Sequence, residues 1–300
     1  MTKSRLMLAL FLMAGLSTVA AAEQKNPLTH GWGGYHWPRS CTTCAANLTV
    51  YDSTLTTNTA WGTHLNRSVF GDAANPNTVN RRGWDNSAVL TLTIAAGGNS
   101  SSTRSSCPVA TGAVRVCNYT YGSTGWLGLA SINVVSGSTT HIAWGTAKMN
   151  DTYFASGYPN TEKRHVMCQE VGHDFGLGHT SENGSSQNTC MDYYSNTSAT
   201  DWQSTGPNQH DFDQLLTQHH FVARPVNPGT VVPQIPLPDG GELNEVAQWG
   251  TALDFDSQGR GVIFARDLGT DTDGNEHTIF THVYWADADR EEPQDRDLLR

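Results

Sequence analysis

A chain of 300 residues is long enough for one medium-sized domain with a sizeable core and a further small unit. The chain carries 28 Asp and Glu residues against 18 Lys and Arg residues, a net charge of −10. This acidic balance argues against nucleic acid as a partner and favours solubility.

The first 22 residues have the pattern of a secretory signal peptide. Lys3 and Arg5 precede an apolar run over residues 6–16, and Ala20-Ala21-Ala22 fits the small-residue cleavage site. Cleavage there removes two positive charges and no acid, which changes the net charge from −10 to −12. No later segment approaches the ~20 apolar residues of a membrane span. We therefore expect an exported protein, extracellular or periplasmic, without a membrane span.

All six cysteines follow the predicted cleavage site. An even number of cysteines in an exported chain favours disulfide bonds. Among the possible connectivities, pairing of neighbours is the economical hypothesis: Cys41–Cys44, Cys107–Cys117 and Cys168–Cys190. The C-x-x-C spacing of the first pair leaves a redox or zinc role open, although no second such pair completes a zinc site.

The chain between residues 45 and 222 alternates short apolar segments with polar turns. Residues 23–44 form a Gly- and Trp-rich segment without clear periodicity, and residues 97–106 have the composition of a Ser/Gly loop. Trp61, Leu65 and Phe70 suggest a helix. Period-two or apolar patterns predict strands at residues 48–51, 88–95, 114–119, 127–135 and 141–149. The mixture predicts an α+β domain.

A helix is predicted to begin near Pro159-Asn160-Thr161-Glu162, with a capping residue before a first-turn acid. Met167, Val171 and Phe175 form an i, i+4, i+8 stripe on this helix. The stripe lies about 200° round the helix axis from the polar face that carries Gln169 and His173. We expect the stripe to pack into the core and the opposite face to line a cleft. A closing helix is predicted at residues 211–221.

The polar face of that helix carries the strongest motif in the chain. Glu170, His173, Gly176 and His179 have the spacing E-x-x-H-x-x-G-x-x-H. Glu170 lies where a general base sits beside a metal held by His173. Gly176 permits the left-handed turn that returns His179 to the same ion.

A glutamine stands before Glu170, where such motifs have another histidine. Gln169 and His173 are i and i+4, so both side chains can touch one ion, but an amide oxygen is a weaker zinc ligand than imidazole. Gln169 is thus either a metal ligand or a hydrogen-bonded neighbour. His165 lies eight residues from His173, roughly 12 Å along a helix, too far to replace it.

These residues resemble the metzincin zinc peptidases, most closely matrixin-like secreted bacterial proteins. The resemblance covers residues 45–222 and implies a three-layer α/β/α-like domain with a mixed twisted sheet. It implies Met191, in Cys190-Met191-Asp192-Tyr193, as the Met-turn residue, and Tyr193 as a possible metal ligand or oxyanion stabiliser. It also implies that the strand before the metal helix is a sheet edge that takes up peptide substrate.

The resemblance therefore predicts a zinc metalloendopeptidase. Zinc lowers the pKa of a bound water towards ~7, and Glu170 acts as general base and then proton donor to the leaving amine. The competing interpretation is a non-catalytic binding or adhesion protein with a degraded zinc site. A third is a disulfide-rich protein in which these residues are buried hydrogen-bonding partners without metal.

The C-terminal part has a different composition. Residues 223–241 contain five prolines, which indicates a linker. Residues 242–286 are predicted to form either a small β appendage or strands docked on the main domain. Residues 287–300 form a charged tail. Asp271-x-Asp273-Gly274-x-Glu276 resembles a fragment of a calcium loop, a weak indication of Ca²⁺. We expect a monomer that acts on a peptide or protein substrate.

Overall fold

The computed structural model describes residues 30–287 except 32, 42, 56–59, 73–81, 138–139, 156, 221–236 and 238–241. The predicted signal peptide, most of the linker and the charged tail after Asp287 lie outside the described residues. The strands are β1 (Ala46–Ser53), β2 (Leu90–Ala96), β3 (Ala113–Tyr119), β4 (Trp126–Ser136), β5 (Thr140–Asn150), β6 (Thr251–Phe255), β7 (Gly261–Thr270) and β8 (Glu276–Trp285). The helices are α1 (Trp61–Phe70), α2 (Ser101–Ser106), α3 (Asp151–Phe154), α4 (Asn160–His173), α5 (Gln209–His220) and α6 (Val246–Trp249).

All eight described strands form one mixed sheet in the order β2-β1-β3-β5-β4-β8-β7-β6. The strands β2, β1, β3 and β5 are parallel, whereas β4, β8, β7 and β6 are joined by antiparallel pairings. The predicted α+β class is confirmed. None of the described helices is both long and apolar enough to cross a lipid bilayer.

The C-terminal strands continue the main sheet. β8 pairs with β4 from Trp126↔Trp285 to Ser136↔Glu276, and β7 and β6 follow outward. Of the two arrangements considered for residues 242–286, docked strands are therefore found, and a separate β appendage is not. The expected open sheet edge is also wrong, because β5 lies between β3 and β4, and β4 lies between β5 and β8.

Each face of the sheet has its own core. The stripe of Met167, Val171 and Phe175 on α4 packs into the larger cluster, together with Trp61 and Leu65 of α1. On the opposite face, four aromatic side chains form a second cluster: Trp126, Trp144, Trp249 and Phe264. The segment around α6 covers this second face, where the indole nitrogen of Trp249 donates to the oxygen of Leu243.

Three short helices, α2, α3 and α6, were not predicted, and the first two begin at a side-chain cap. α2 falls in the predicted Ser/Gly loop, where the Ser100 hydroxyl caps the helix by accepting from the backbone nitrogen of Thr103. α3 lies just after the strand predicted at residues 141–149, where the Asn150 side chain accepts from the backbone nitrogen of Thr152. In both cases a local side-chain cap starts a turn that apolar periodicity does not reveal.

Candidate metal centre

The helix α4 and the turn after it carry the motif residues, all of which are buried. Trp84 and Trp37 hold the end of the helix, since their indole nitrogens donate to the main-chain oxygens of Cys168 and Asp174 at 3.1 and 2.8 Å. Gly176 has φ +91°, and a Cβ there would lie 2.3 Å from the oxygen of Tyr35. Only glycine suits this position, which reverses the chain towards His179.

His173 and His179 face each other through their Nε2 atoms, which are 3.1 Å apart. The Nδ1 atom of His173 is 2.7 Å from the oxygen of Leu177. A carbonyl oxygen only accepts, so Nδ1 carries the proton and Nε2 of the neutral ring presents a lone pair. The Nδ1 atom of His179 is 3.5 Å from Oε1 of Glu182, a carboxylate that favours the same tautomer. Two facing lone pairs require a proton or a cation between them.

A third histidine, which the sequence did not single out, completes this cluster. His282 on β8 is buried, and its ring stacks on that of His173 with centroids 3.7 Å apart and an interplanar angle of 10°. One ring nitrogen from each of His173, His179 and His282 lies within 4.8 Å of the other two. These three side chains form a possible metal-binding group, called here the three-histidine cluster.

Glu170 lies on the same helix and is fully buried. None of the described residues hydrogen-bonds to either of its carboxylate oxygens. Oε1 lies close under β4, where a Cβ on Gly128 would be only 2.4 Å from it. Burial raises the pKa of Glu170 well above its usual value. The expected division of α4 into a core face and an open cleft face is wrong for the described residues, because Gln169, Glu170 and His173 are all buried.

Gln169 is tied to the turn that contains Met191. Its Nε2 atom donates to the main-chain oxygen of Asp192 at 2.7 Å. Its Oε1 atom is buried, and no hydrogen bond to it occurs within the described part of the chain. The amide nitrogen of Gln169 is therefore hydrogen-bonded, whereas its oxygen is a buried acceptor that no described residue bonds to. Metal ligation by Gln169 stays a prediction.

Met191 packs against α4, and its role as the Met-turn residue stays a prediction. A Cβ on Gly172 would be 2.4 Å from the Met191 sulfur, and the oxygen of Met191 accepts from the backbone nitrogen of Thr180. The Tyr193 ring lies 5.2 Å from that of His179, and its hydroxyl oxygen accepts from the backbone nitrogen of Trp285. Its role as ligand or oxyanion stabiliser stays a prediction.

Three disulfide bonds join Cys41 to Cys44, Cys107 to Cys117 and Cys168 to Cys190, the pairing that the sequence favours. The last bond links α4 directly to the turn containing Met191. Disulfide bonds of this kind are common in exported proteins.

Other polar groups near this cluster are not members of it. His165 is buried, with Nδ1 against the oxygen of Ser204, and it is not in the three-histidine cluster. A second possible metal-binding group contains His30, His210 and Asp211, and the Nε2 atom of His30 is 3.2 Å from Oδ1 of Asp211.

The calcium-like fragment forms the β7–β8 turn. Oδ1 of Asp271 accepts from the backbone nitrogens of Asp273 and Asn275, both at 2.9 Å. The side chain of Asn275 also bonds to this carboxylate, which lowers the pKa of Asp271. These bonds explain the turn without an ion, and calcium binding stays a prediction.

Comparison of the chain with models of known protein families and with curated proteins gives no match in either case. The function must therefore be inferred from the site itself.

Proposed function

We propose that the protein is a secreted zinc-dependent endopeptidase. The observation that carries this proposal is the 3.1 Å separation of the Nε2 atoms of His173 and His179, with Glu170 on the same helix. A tetrahedral ion with Zn–N bonds of about 2.0–2.1 Å spaces its nitrogens about 3.3 Å apart. The pair is thus close to the spacing that zinc requires.

The polar groups around the His173 and His179 rings are better explained by a bound cation than by a site without one. Two imidazole nitrogens and the buried oxygens of Gln169 and Glu170 are acceptors, and the described residues supply no hydrogen bond to those oxygens. Buried acceptors without donors cost about 1–3 kcal/mol each, which a bound cation would offset. A neutral imidazole set favours zinc over Mg²⁺ or Ca²⁺.

Different residues of the chain have different roles in the proposed peptide hydrolysis. When bound, zinc supplies Lewis acidity that makes water a nucleophile near neutral pH. The Glu170 carboxylate would accept the proton of that water, a step that its raised pKa favours, and would then return the proton to the leaving amine. The oxygen of Leu177 holds the ring of His173 by accepting from Nδ1, and a carboxylate oxygen of Glu182 lies 3.5 Å from Nδ1 of His179.

A non-catalytic binding or adhesion protein is the second candidate, and the burial of Glu170 favours it. A peptide bond reaches Glu170 only after residues that cover it, including Gly128, move apart. A protein that never opens this site would keep the metal as a structural element.

The test is zinc content of the purified mature protein, paired with cleavage of an unstructured protein substrate. Glu170→Gln, which keeps the side-chain shape, and Glu170→Ala serve as controls against contaminating peptidases. We expect one zinc per chain, bound by His173 and His179, and cleavage that both variants abolish without loss of zinc. Zinc without Glu170-dependent cleavage supports the second candidate. A protein that takes up no zinc overturns the proposed endopeptidase.

A further inference from the structure

We propose that His282 is the third protein ligand of the metal ion, in the role that Gln169 does not fill. The proposal rests on the proposed function, because it concerns the same ion. It adds a residue that lies more than 100 positions after the E-x-x-H-x-x-G-x-x-H motif and outside the segment that resembles metzincins.

Strand pairing places His282 at the metal-binding group. Residue 282 pairs with Ala130 on β4 and with Ile263 on β7. Alternation along β8 puts it on the same face as Phe280 and Tyr284, which pack in the cluster that contains α4. A histidine at this position therefore points to the helix that carries His173, and a slip of one residue would turn it to the opposite face.

The chemistry of the two candidate ligands differs. Imidazole nitrogen is a common zinc ligand, whereas a neutral amide oxygen is harder and binds zinc more weakly. The amide of Gln169 is also held by its bond to the Asp192 oxygen, which fixes α4 to the Met191 turn. Gln169 thus suits a positioning role beside the ion, while His282 suits ligation.

Ligation requires the stacked rings to separate. Parallel rings 3.7 Å apart present their nitrogens side by side, whereas the bonds of a tetrahedral ion diverge by about 109°. The ring of His282 must therefore rotate away from that of His173 and bring its nitrogen inward. The nitrogens of the group are already within 4.8 Å of one another, so this is a side-chain movement with β8 in place.

The test compares zinc affinity of the full mature chain and its variants by competition with a chromophoric chelator. His282→Phe keeps an aromatic ring for stacking and removes the nitrogens, and Gln169→Ala removes the competing ligand. His64→Phe, at a buried histidine on α1, is the matched control for this replacement. All chains carry His210→Ala as well, so that the second possible group does not contribute to the measured zinc.

We expect His282→Phe to lower zinc affinity by more than ~100-fold, beyond the ~10–100-fold typical of residues that only orient ligands. Gln169→Ala should lower it by less than ~10-fold, and His64→Phe should leave it unchanged. The reverse order, with a large loss for Gln169→Ala and none for His282→Phe, overturns the proposal while the proposed function stands. Absence of zinc in the parent chain overturns the proposed function instead.

A measurement on the parent chain, in which His210→Ala is the only substitution, covers the case in which His282→Phe does not fold. X-ray absorption of the zinc-loaded chain counts imidazole rings from their outer-atom scattering. Three imidazoles support ligation by His282, and two imidazoles with additional oxygen overturn it.

Discussion

The Nε2 atom of Gln169 donates a hydrogen bond to the main-chain oxygen of Asp192 over 2.7 Å, and so connects α4 to the turn below the candidate metal centre. The residue that interrupts the histidine motif therefore has a structural contact of its own. Its position one turn before His173 also makes it the place where a histidine would add a metal ligand.

Gln169→His is expected to raise zinc affinity and to lower peptide hydrolysis. With His173, His179 and His282, a fourth nitrogen would take the position that a catalytic zinc ion keeps for water. Chelator competition gives the affinity, and cleavage of an unstructured substrate gives the activity. Unchanged affinity would show that residue 169 does not face the ion. A gain in both quantities would instead favour Gln169 as the site of the missing ligand.

Removal of the Cys168–Cys190 bond should destabilise the protein and weaken metal binding. The bond spans 22 residues, so the chain-entropy model assigns it about 3 kcal/mol, and it holds Met191 against α4. The Cys41–Cys44 bond spans three residues and is the matched control, with an expected effect near half as large. Urea unfolding and zinc affinity of the two double-alanine variants check this. Equal losses for both pairs would contradict it.

Gly172→Ala should cost about 1–3 kcal/mol of stability through overpacking. Its Cβ would lie 2.4 Å from the Met191 sulfur and 2.6 Å from Cζ2 of Trp84, so the floor of the site must shift. Urea unfolding measures the loss, and Met191→Ala in the same chain should recover part of it. Full stability of the single variant would mean that Met191 moves aside without cost.

Acid should destabilise the protein through His64. Burial, and then the charges of Arg164, Arg67 and Lys163, lower its pKa from 6.5 to about 4. The unfolded chain therefore binds the proton first as the pH falls. The stability contributed by neutral His64 is complete above pH 6.5 and is lost between about pH 6.5 and 4.

The corresponding test is urea unfolding at pH 7.5 and 5.0. This histidine should account for about 2 kcal/mol of the difference in unfolding free energy, and His64→Gln should remove that part. His141 and His165, whose pKa values burial also lowers to about 4, will keep some of the acid sensitivity. An identical pH dependence in the variant would show that His64 does not contribute.

Local patterns predicted much of the fold. The strand patterns, the stripe on α4 and the glycine turn at Gly176 depend on neighbours within a few residues, and all are found. The helix α2 was missed because Ser-rich segments have low helix propensity, and its cap at Ser100 acts over only three residues. Short capped turns of this kind leave almost no periodic signal.

The candidate site was only half predictable for a different reason. Glu170, His173 and His179 come from one segment, so their spacing reveals them, whereas His282 reaches the group through pairing of β8 with β4. Strand alternation did carry a signal, since residue 282 falls between Phe280 and Tyr284 on an apolar face. Alternation assigns a face but not the neighbouring strand, and so it could not name the partner.

The pairing of Ala130 with His282 joins residues 152 positions apart (282 − 130), at the middle of the sheet. Such distant contacts form late, because a large loop must close before they are made. During synthesis, most of the polypeptide must leave the ribosome before β8 can pair with β4. Until then, the hydrogen-bonding groups along one side of β4 stay exposed, and nascent molecules at high concentration risk joining each other there.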